Sequence, residues 1–173
     1  MKTKLLAAAA ALFVAWALKR HYSDARADDL MWMLAPTAHL TGAITGASFT
    51  LQPGEGYFSS DRLFLIEKSC AGVNFMIAAF GMLVFTLFRH VRTSVWAGGV
   101  IGVSLVAGYG AAVIVNAVRI ATAMWLAAHP VGVLISSSAL HRLEGILVYF
   151  GGLVLLHEVA QRFDRNAILR GRP

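Results

Sequence analysis

The chain has 173 residues, of which 58% are apolar and only 14% are charged, and its mean hydropathy is +0.67. Soluble domains average about 45–50% apolar and about 25% charged residues, so this composition excludes an ordinary soluble enzyme and a disordered chain. The single cysteine, Cys70, excludes a disulfide scaffold. The composition therefore predicts one integral membrane domain over residues 1–173. Its expected fold is all-α, a polytopic transmembrane helical bundle with room for about five spans of roughly 20 residues each.

The net charge of +6 fits a small membrane protein, because cytoplasmic loops of such proteins collect Lys and Arg. The sequence has no basic face with interleaved aromatic residues, so nucleic acid is not expected as a partner. It also has no His-x-x-x-His pair and no glycine-rich phosphate loop, so neither a metal nor a cofactor is expected. The expected environment is the lipid bilayer.

Five mostly uncharged stretches are predicted to be spans, at about 3–18, 30–52, 70–88, 94–116 and 142–160. The first stretch also resembles a signal peptide, but basic residues follow it where small cleavage-site residues should stand. We interpret it as a short uncleaved span. The second is rich in Thr, Gly and Ser, which favours close helix packing in lipid, and a polar loop is expected after it over 53–69.

The stretch 120–140 is apolar enough to cross the membrane, yet it contains His129, Pro130 and the serines 136–138. Irregular backbone at membrane depth is tolerated where it lines a cavity inside the protein. A re-entrant segment is the interpretation we favour here, because a further span would carry His141 to the other side of the membrane.

The basic residues predict an orientation. The segments 19–29, 89–92 and 161–173 are the most basic short stretches, and the positive-inside rule places all three in the cytoplasm. The N-terminus is then expected outside and the C-terminus inside. Cys70, Arg119 and residue 141 are expected at the outer face.

Cys70 is predicted to open a helix, and a helix N-terminus favours the reactive thiolate form of cysteine. Gly72 would permit close approach of a substrate to the backbone. The alternative for Cys70 is a small buried thiol.

Arg119 is a charge among apolar residues, which is usually functional or paired, and Asn116 shares its helix face. An interfacial arginine that reaches to water is the alternative, whereas in a catalytic site a guanidinium stabilises an oxyanion.

His141 completes the set of candidate residues, since histidine is the usual proton shuttle for a cysteine nucleophile. His129 is its competitor, and a structural interfacial histidine is the other alternative. Glu144 is placed either to pair with Arg142 or to orient His141.

Three short motifs together resemble the exosortase/archaeosortase family, most closely its compact exosortase K type. That family's pattern is a Cys-x-Gly, then Asn-x-x-Arg-Ile, then a His followed four residues later by Gly. This sequence has Cys70–Gly72, Asn116–Ile120 and His141–Gly145 in the same order. The resemblance covers about residues 65–158, which would be the catalytic part.

The resemblance implies a membrane cysteine transpeptidase or protease in the bacterial inner membrane, with its active site at the outer, periplasmic face. Its substrates would be secreted proteins with a C-terminal sorting signal, made of a short motif such as Pro-Glu-Pro, a transmembrane helix and a basic tail. Cys70 would be the nucleophile, Arg119 the stabiliser of developing negative charge and His141 the proton-transfer group. Gly72, Asn116 and Gly145 would support them. Two other classes stay open: a non-enzymatic membrane assembly factor, and a small carrier whose pathway Arg119 and His141 would line.

Overall fold

The computed structural model describes residues 2–61, 63–129 and 137–170, with side chains except at 137–141, 164 and 166–170. These residues form the helices α1 (Lys2–Asp24), α2 (Met31–Thr45), α3 (Val73–Leu87), α4 (Ser94–Ala128) and α5 (Ser137–Arg170). Three short strands, β1 (Thr50–Gln52), β2 (Gly56–Ser59) and β3 (Phe64–Ile66), pair antiparallel in the order β1-β2-β3. The prediction of a helical bundle is confirmed. The segment 53–69, expected to be a loop, instead contributes β2 and β3.

Three helical segments among the described residues are long and apolar enough to cross a membrane: Lys68–His90, Ser94–Ala128 and Arg142–Phe163. The outward surfaces of α4 and α5 carry large exposed apolar side chains, such as Val106 at 72% and Phe150 at 67% exposure. In water such a surface would be costly, whereas lipid accepts it. The apolar helices therefore have the character of transmembrane helices.

The predicted span 30–52 is not a single helix. Helix α2 ends at Thr45, and Gly46 caps it in the left-handed conformation (φ +71°), with its amide donating to the Gly42 carbonyl at 2.8 Å. A left-handed residue after the last turn is the usual helix stop. Helix α2 has 15 residues and is not part of any of the three segments that are long and apolar enough to cross a membrane, whereas flanking turns extend the equally long α3 to Lys68–His90.

Helix α2 instead packs along α4. Pro36 lies inside α2 and lacks the N–H that the Trp32 carbonyl would accept in a regular helix. The Tyr109 hydroxyl of α4 donates to that carbonyl at 2.9 Å. A side chain of the neighbouring helix thus satisfies the group that proline leaves unpaired.

Helix α4 is longer than the predicted span 94–116, since it runs without a break to Ala128. The residues 120–128, expected in a re-entrant segment, are therefore regular helix, and 130–136 lie outside the described residues. Arg119 was expected just past the end of this helix. It lies within the helix instead.

Helix α1 runs antiparallel to α3. Near its start, Lys4 Nζ lies 6.0 Å from the ring centroid of Phe88, just beyond the end of α3. Near its end, Lys19 Nζ donates to Asn74 Oδ1 at 2.8 Å, in the first turn of α3. Residues 25–72 therefore connect two helix termini that lie at the same end of the bundle. We call this the Cys70 end.

This arrangement contradicts two predictions about which segments lie at the same end of the bundle as Cys70. Residues 19–29 were expected on the opposite side from Cys70, but the end of α1 lies at the Cys70 end. The expectation that the two termini lie on different sides is also wrong. Thr86 Oγ1, near the end of α3, lies 3.4 Å from His157 Nδ1 of α5, so α5 approaches the end at which α1 begins. The misplacement arose because the basic residues of 19–29 were counted as a loop far from the site, whereas Lys19 contacts the first turn of α3.

Candidate active site

Cys70 ends a short 3-10 turn, Lys68–Cys70, between β3 and α3. Its amide donates to the Glu67 carbonyl at 2.9 Å, and its side chain is half-buried. Ser69 Oγ lies 3.7 Å from Cys70 Sγ. The thiol therefore stands on a short, hydrogen-bonded turn just before a helix, close to where the sequence predicted it.

Gly72 connects this turn to α3 in the left-handed conformation, with φ +72°. A Cβ atom at Gly72 would lie 3.0 Å from Cγ of Asn116. The sequence argument gave Gly72 the role of admitting a substrate to the backbone. The contact gives a different reason for a glycine here, because the absent side chain leaves room for Asn116.

Asn116 links the Cys70 turn to α5. The side chain is fully buried, its Nδ2 donates to the Cys70 carbonyl, and its Oδ1 accepts a 2.8 Å hydrogen bond from the Tyr149 hydroxyl. A buried amide with both ends bonded fixes the two groups it joins. Asn116 thus holds the backbone of the candidate nucleophile in place relative to two other helices.

Tyr149 extends this connection to Arg119. Arg119 Nη1 donates to the Tyr149 hydroxyl at 3.4 Å, and Arg119 Cζ lies 5.3 Å from the centroid of the same ring. Cys70 lies within electrostatic range of the guanidinium. We call Cys70, Asn116, Arg119 and Tyr149 the four-residue cluster. It joins a thiol, an amide, a phenol and a fixed positive charge from α4, α5 and the Cys70 turn.

Gly145 makes room for Arg119, as Gly72 does for Asn116. A Cβ atom at Gly145 would lie 3.2 Å from Arg119 Nε, tighter than an ordinary contact. Glu144, beside it, is only 6% exposed and lies within electrostatic range of Arg119. Gly72 and Gly145, which the sequence assigned as supporting residues, therefore border Asn116 and Arg119, the two residues of α4 in the four-residue cluster.

A cavity of about 260 Å³ opens beside the four-residue cluster. Ser69 and Gly72, on either side of Cys70 in the sequence, line it together with Arg119 and Tyr149. Its remaining lining comes from α1, α3 and α5: Tyr22, Val73, Asn74, Phe75, Arg142, Gly145 and Ile146. The cavity is large enough for a short extended peptide segment and brings it next to both the thiol-bearing turn and the guanidinium.

The end of α1 forms one wall of this site. Lys68 Nζ donates to the carbonyls of Ser23 at 3.1 Å and Ala25 at 2.7 Å, capping the end of α1, and it lies 5.4 Å from the Tyr22 ring centroid. Burial raises the pKa of the Tyr22 phenol, and electrostatic interaction with the nearby Cys70 and Glu67 raises it further. Tyr22 is therefore a neutral phenol beside the candidate nucleophile.

The histidine assignment stays a prediction. His141 lies in the first turns of α5, and its side chain is outside the described residues. Its competitor His129 lines a different, larger cavity of about 750 Å³, with Nδ1 3.0 Å from the Trp125 carbonyl. His129 therefore lines a cavity other than the one beside the four-residue cluster.

The sequence argument missed Tyr149 and Tyr22. Tyr149 lies four residues after Gly145, on the same face of α5. That spacing could have predicted that Tyr149 lies near the residues that Gly145 contacts. Tyr22 could not have been found in the same way, because the orientation inferred from charge put it on the far side of the membrane.

Comparisons of the chain with protein-family models, with curated protein sequences and with solved structures gave no match.

Proposed function

We propose that this protein is a membrane-embedded cysteine transpeptidase or protease of the exosortase type, which cleaves C-terminal sorting signals from secreted proteins. One observation carries the proposal. Residues from motifs about 46 positions apart meet, since Asn116 bonds the Cys70 carbonyl and Tyr149 joins Asn116 to Arg119. A packing role alone gives no reason for a cysteine-bearing turn and a guanidinium to meet beside a cavity.

The proposed reaction begins when the Cys70 thiolate attacks the carbonyl carbon of the scissile peptide bond. Arg119 stabilises the negative charge that develops on the carbonyl oxygen. The C–N bond then breaks, and His141 gives its proton to the departing amine of the tail. Water, or an amine or hydroxyl of an acceptor, attacks the resulting thioester, loses its proton to His141 and expels Cys70 as the thiolate.

We further propose four membrane crossings rather than five. Helix α1 would form the first, since its 23 residues extend about 35 Å, it lies alongside α3, and it presents exposed apolar side chains such as Phe13 at 64% exposure. Helices α3, α4 and α5 would supply the others, and residues 25–72 would stay at the Cys70 end.

The proposed function implies the bacterial inner membrane, and the charge distribution supports an orientation with the Cys70 end outside. The opposite end is strongly basic, with two acids of α5, Glu158 and Asp164, against seven bases: Lys2, Lys4, Arg89, Arg92, Arg162, Arg165 and Arg170. Acids balance the bases more closely at the Cys70 end, where Asp24, Asp28, Asp29, Glu55, Asp61 and Glu67 lie. By the positive-inside rule the basic end faces the cytoplasm.

Alkylation offers a sharp test, because Cys70 is the only cysteine. N-ethylmaleimide bound at one equivalent per chain should abolish removal of a tail from a purified reporter that ends in a short motif, a transmembrane helix and a basic cluster. Full activity of stoichiometrically alkylated protein would sink the proposal.

Arg119→Lys separates the enzyme from the two alternatives. Lysine keeps the charge but loses the planar fork, so the enzyme should lose about 100-fold or more in tail cleavage, comparable to losing an oxyanion donor. A carrier would keep much of its transport activity in this variant, and an assembly factor would be indifferent to alkylation of Cys70.

A further inference from the structure

A second polar cavity, of about 390 Å³, lies between α3 and α5 at the end of the bundle away from Cys70. Its lining combines the end of α3 and the following turn with the later part of α5: Phe85, Thr86, Arg89, His157, Gln161 and Arg165. None of these residues belongs to the proposed catalytic site. The function of this cavity is therefore a separate question.

The neutral polar groups of the cavity bond to one another. Thr86 Oγ1 donates to the Met82 carbonyl at 2.9 Å, so its oxygen is left to accept from His157 Nδ1 at 3.4 Å. Gln161 Nε2 lies 2.9 Å from His157 Nε2. This network holds the side chains that line the cavity in place.

The charged residues that the structure describes in the lining of the cavity are basic. Arg89 lines one wall and Arg165 the other, and none of the described lining residues is acidic. Guanidinium groups match the geometry of phosphate oxygens and bind them with two parallel hydrogen bonds. The chemistry of the cavity thus favours a phosphate anion.

The surroundings of the cavity are apolar and face outward. Phe85, one of the lining residues, is 83% exposed, and Leu155 and Phe163 of α5 are 68% and 73% exposed. Both walls belong to segments apolar enough to cross a membrane. An occupant with a charged head and apolar chains would therefore satisfy both the arginines and the exposed apolar side chains.

We propose that this cavity binds the phosphate of an anionic phospholipid headgroup, with Arg89 and Arg165 as the binding residues. The acyl chains of the lipid would lie along Phe85 and the outer face of α5. Basic cavities between membrane helices bind acidic headgroups by the same chemistry. This proposal does not depend on the proposed catalytic function.

The test compares Arg165→Gln with Arg162→Gln in the purified full-length chain. Both variants remove one positive charge from the same helix, but Arg162 is exposed and does not line the cavity. Delipidated protein is titrated with phosphatidylglycerol in mixed micelles, and bound lipid is counted by native mass spectrometry. We expect binding about tenfold weaker for Arg165→Gln, the loss of a charged hydrogen-bonding partner, and unchanged for Arg162→Gln.

Three outcomes would overturn the proposal. If both variants bound phosphatidylglycerol equally weakly, the effect would come from the general attraction of a basic surface for anionic lipid and not from the cavity. Equal binding of phosphatidylcholine would remove the need for an anionic headgroup, and equal thermal stabilisation by inorganic phosphate alone would exclude the lipid as the source. If Arg165→Gln does not fold, Arg165→Lys serves instead, because it keeps the charge but loses the paired hydrogen bonds and should still bind the lipid more weakly than the parent chain.

Discussion

Replacing Tyr149 by phenylalanine tests whether the four-residue cluster acts as a unit. The change removes one oxygen atom, which donates to Asn116 Oδ1 at 2.8 Å and accepts from Arg119 Nη1 at 3.4 Å. Asn116 is fully buried, so water cannot readily replace the lost donor, and the cost is about 1–3 kcal/mol. If the same bonds position the reacting groups, tail cleavage should fall roughly 10- to 100-fold.

Tyr109→Phe is the matched control. It removes the same atom from a hydroxyl that also makes a hydrogen bond, to the Trp32 carbonyl at 2.9 Å, but it touches none of the cluster residues in that bond. Unfolding of both variants in detergent is followed by tryptophan fluorescence, and cleavage of the tailed reporter is measured at matched folded fraction. We expect both to lose stability and only Tyr149→Phe to lose cleavage. Equal cleavage by the two variants would refute a positioning role for Tyr149.

Two glycine substitutions test the close contacts of the site. Gly145→Ala places a methyl group 3.2 Å from Arg119 Nε and should lower the rate of tail cleavage about tenfold by displacing the guanidinium. Gly151→Ala is the control, because Gly151 has open space around it, and this variant should keep the parent rate. Equal rates for the two variants would contradict the contact between Gly145 and Arg119. Gly72→Ala would put a side chain on a left-handed residue and bring its Cβ atom within 3.0 Å of Asn116. It should lower the free energy of unfolding, measured by chemical denaturation, by about 1–2 kcal/mol or more. A variant as stable as the parent would show that the turn at Gly72 is not constrained in this way.

Composition predicted the helical membrane character because a high apolar fraction leaves few other solutions. It could not predict which apolar stretches cross. The stretch 30–52 has the composition of a span, but Gly46 stops the helix and the following residues form β1. The end of α4 was placed too early because Asn116 and Arg119 interrupt the apolar pattern, although neither residue breaks a helix.

The site was only partly accessible from the sequence. The order of the three motifs suggested that Cys70, Asn116 and Arg119 meet, and hydrogen bonds now join Asn116 to the Cys70 turn. The pairing of Asn116 with Tyr149 depends on how α4 packs against α5, which no local pattern encodes. The charge-based orientation excluded the contact of α1 with the Cys70 turn, because it placed the basic segment 19–29 in the cytoplasm, whereas Lys19 contacts Asn74 at the site.

The central claim is that Cys70 carries the chemistry, and tail processing by Cys70→Ala tests it most directly. The parent chain and the variant are expressed with a secreted reporter that ends in a short motif, a transmembrane helix and a basic tail, and the size of the reporter is followed on a gel. We predict that the parent removes the tail, that Cys70→Ala leaves it intact, and that the variant protein accumulates to the same level in the membrane. Tail removal by Cys70→Ala at the rate of the parent would contradict the account.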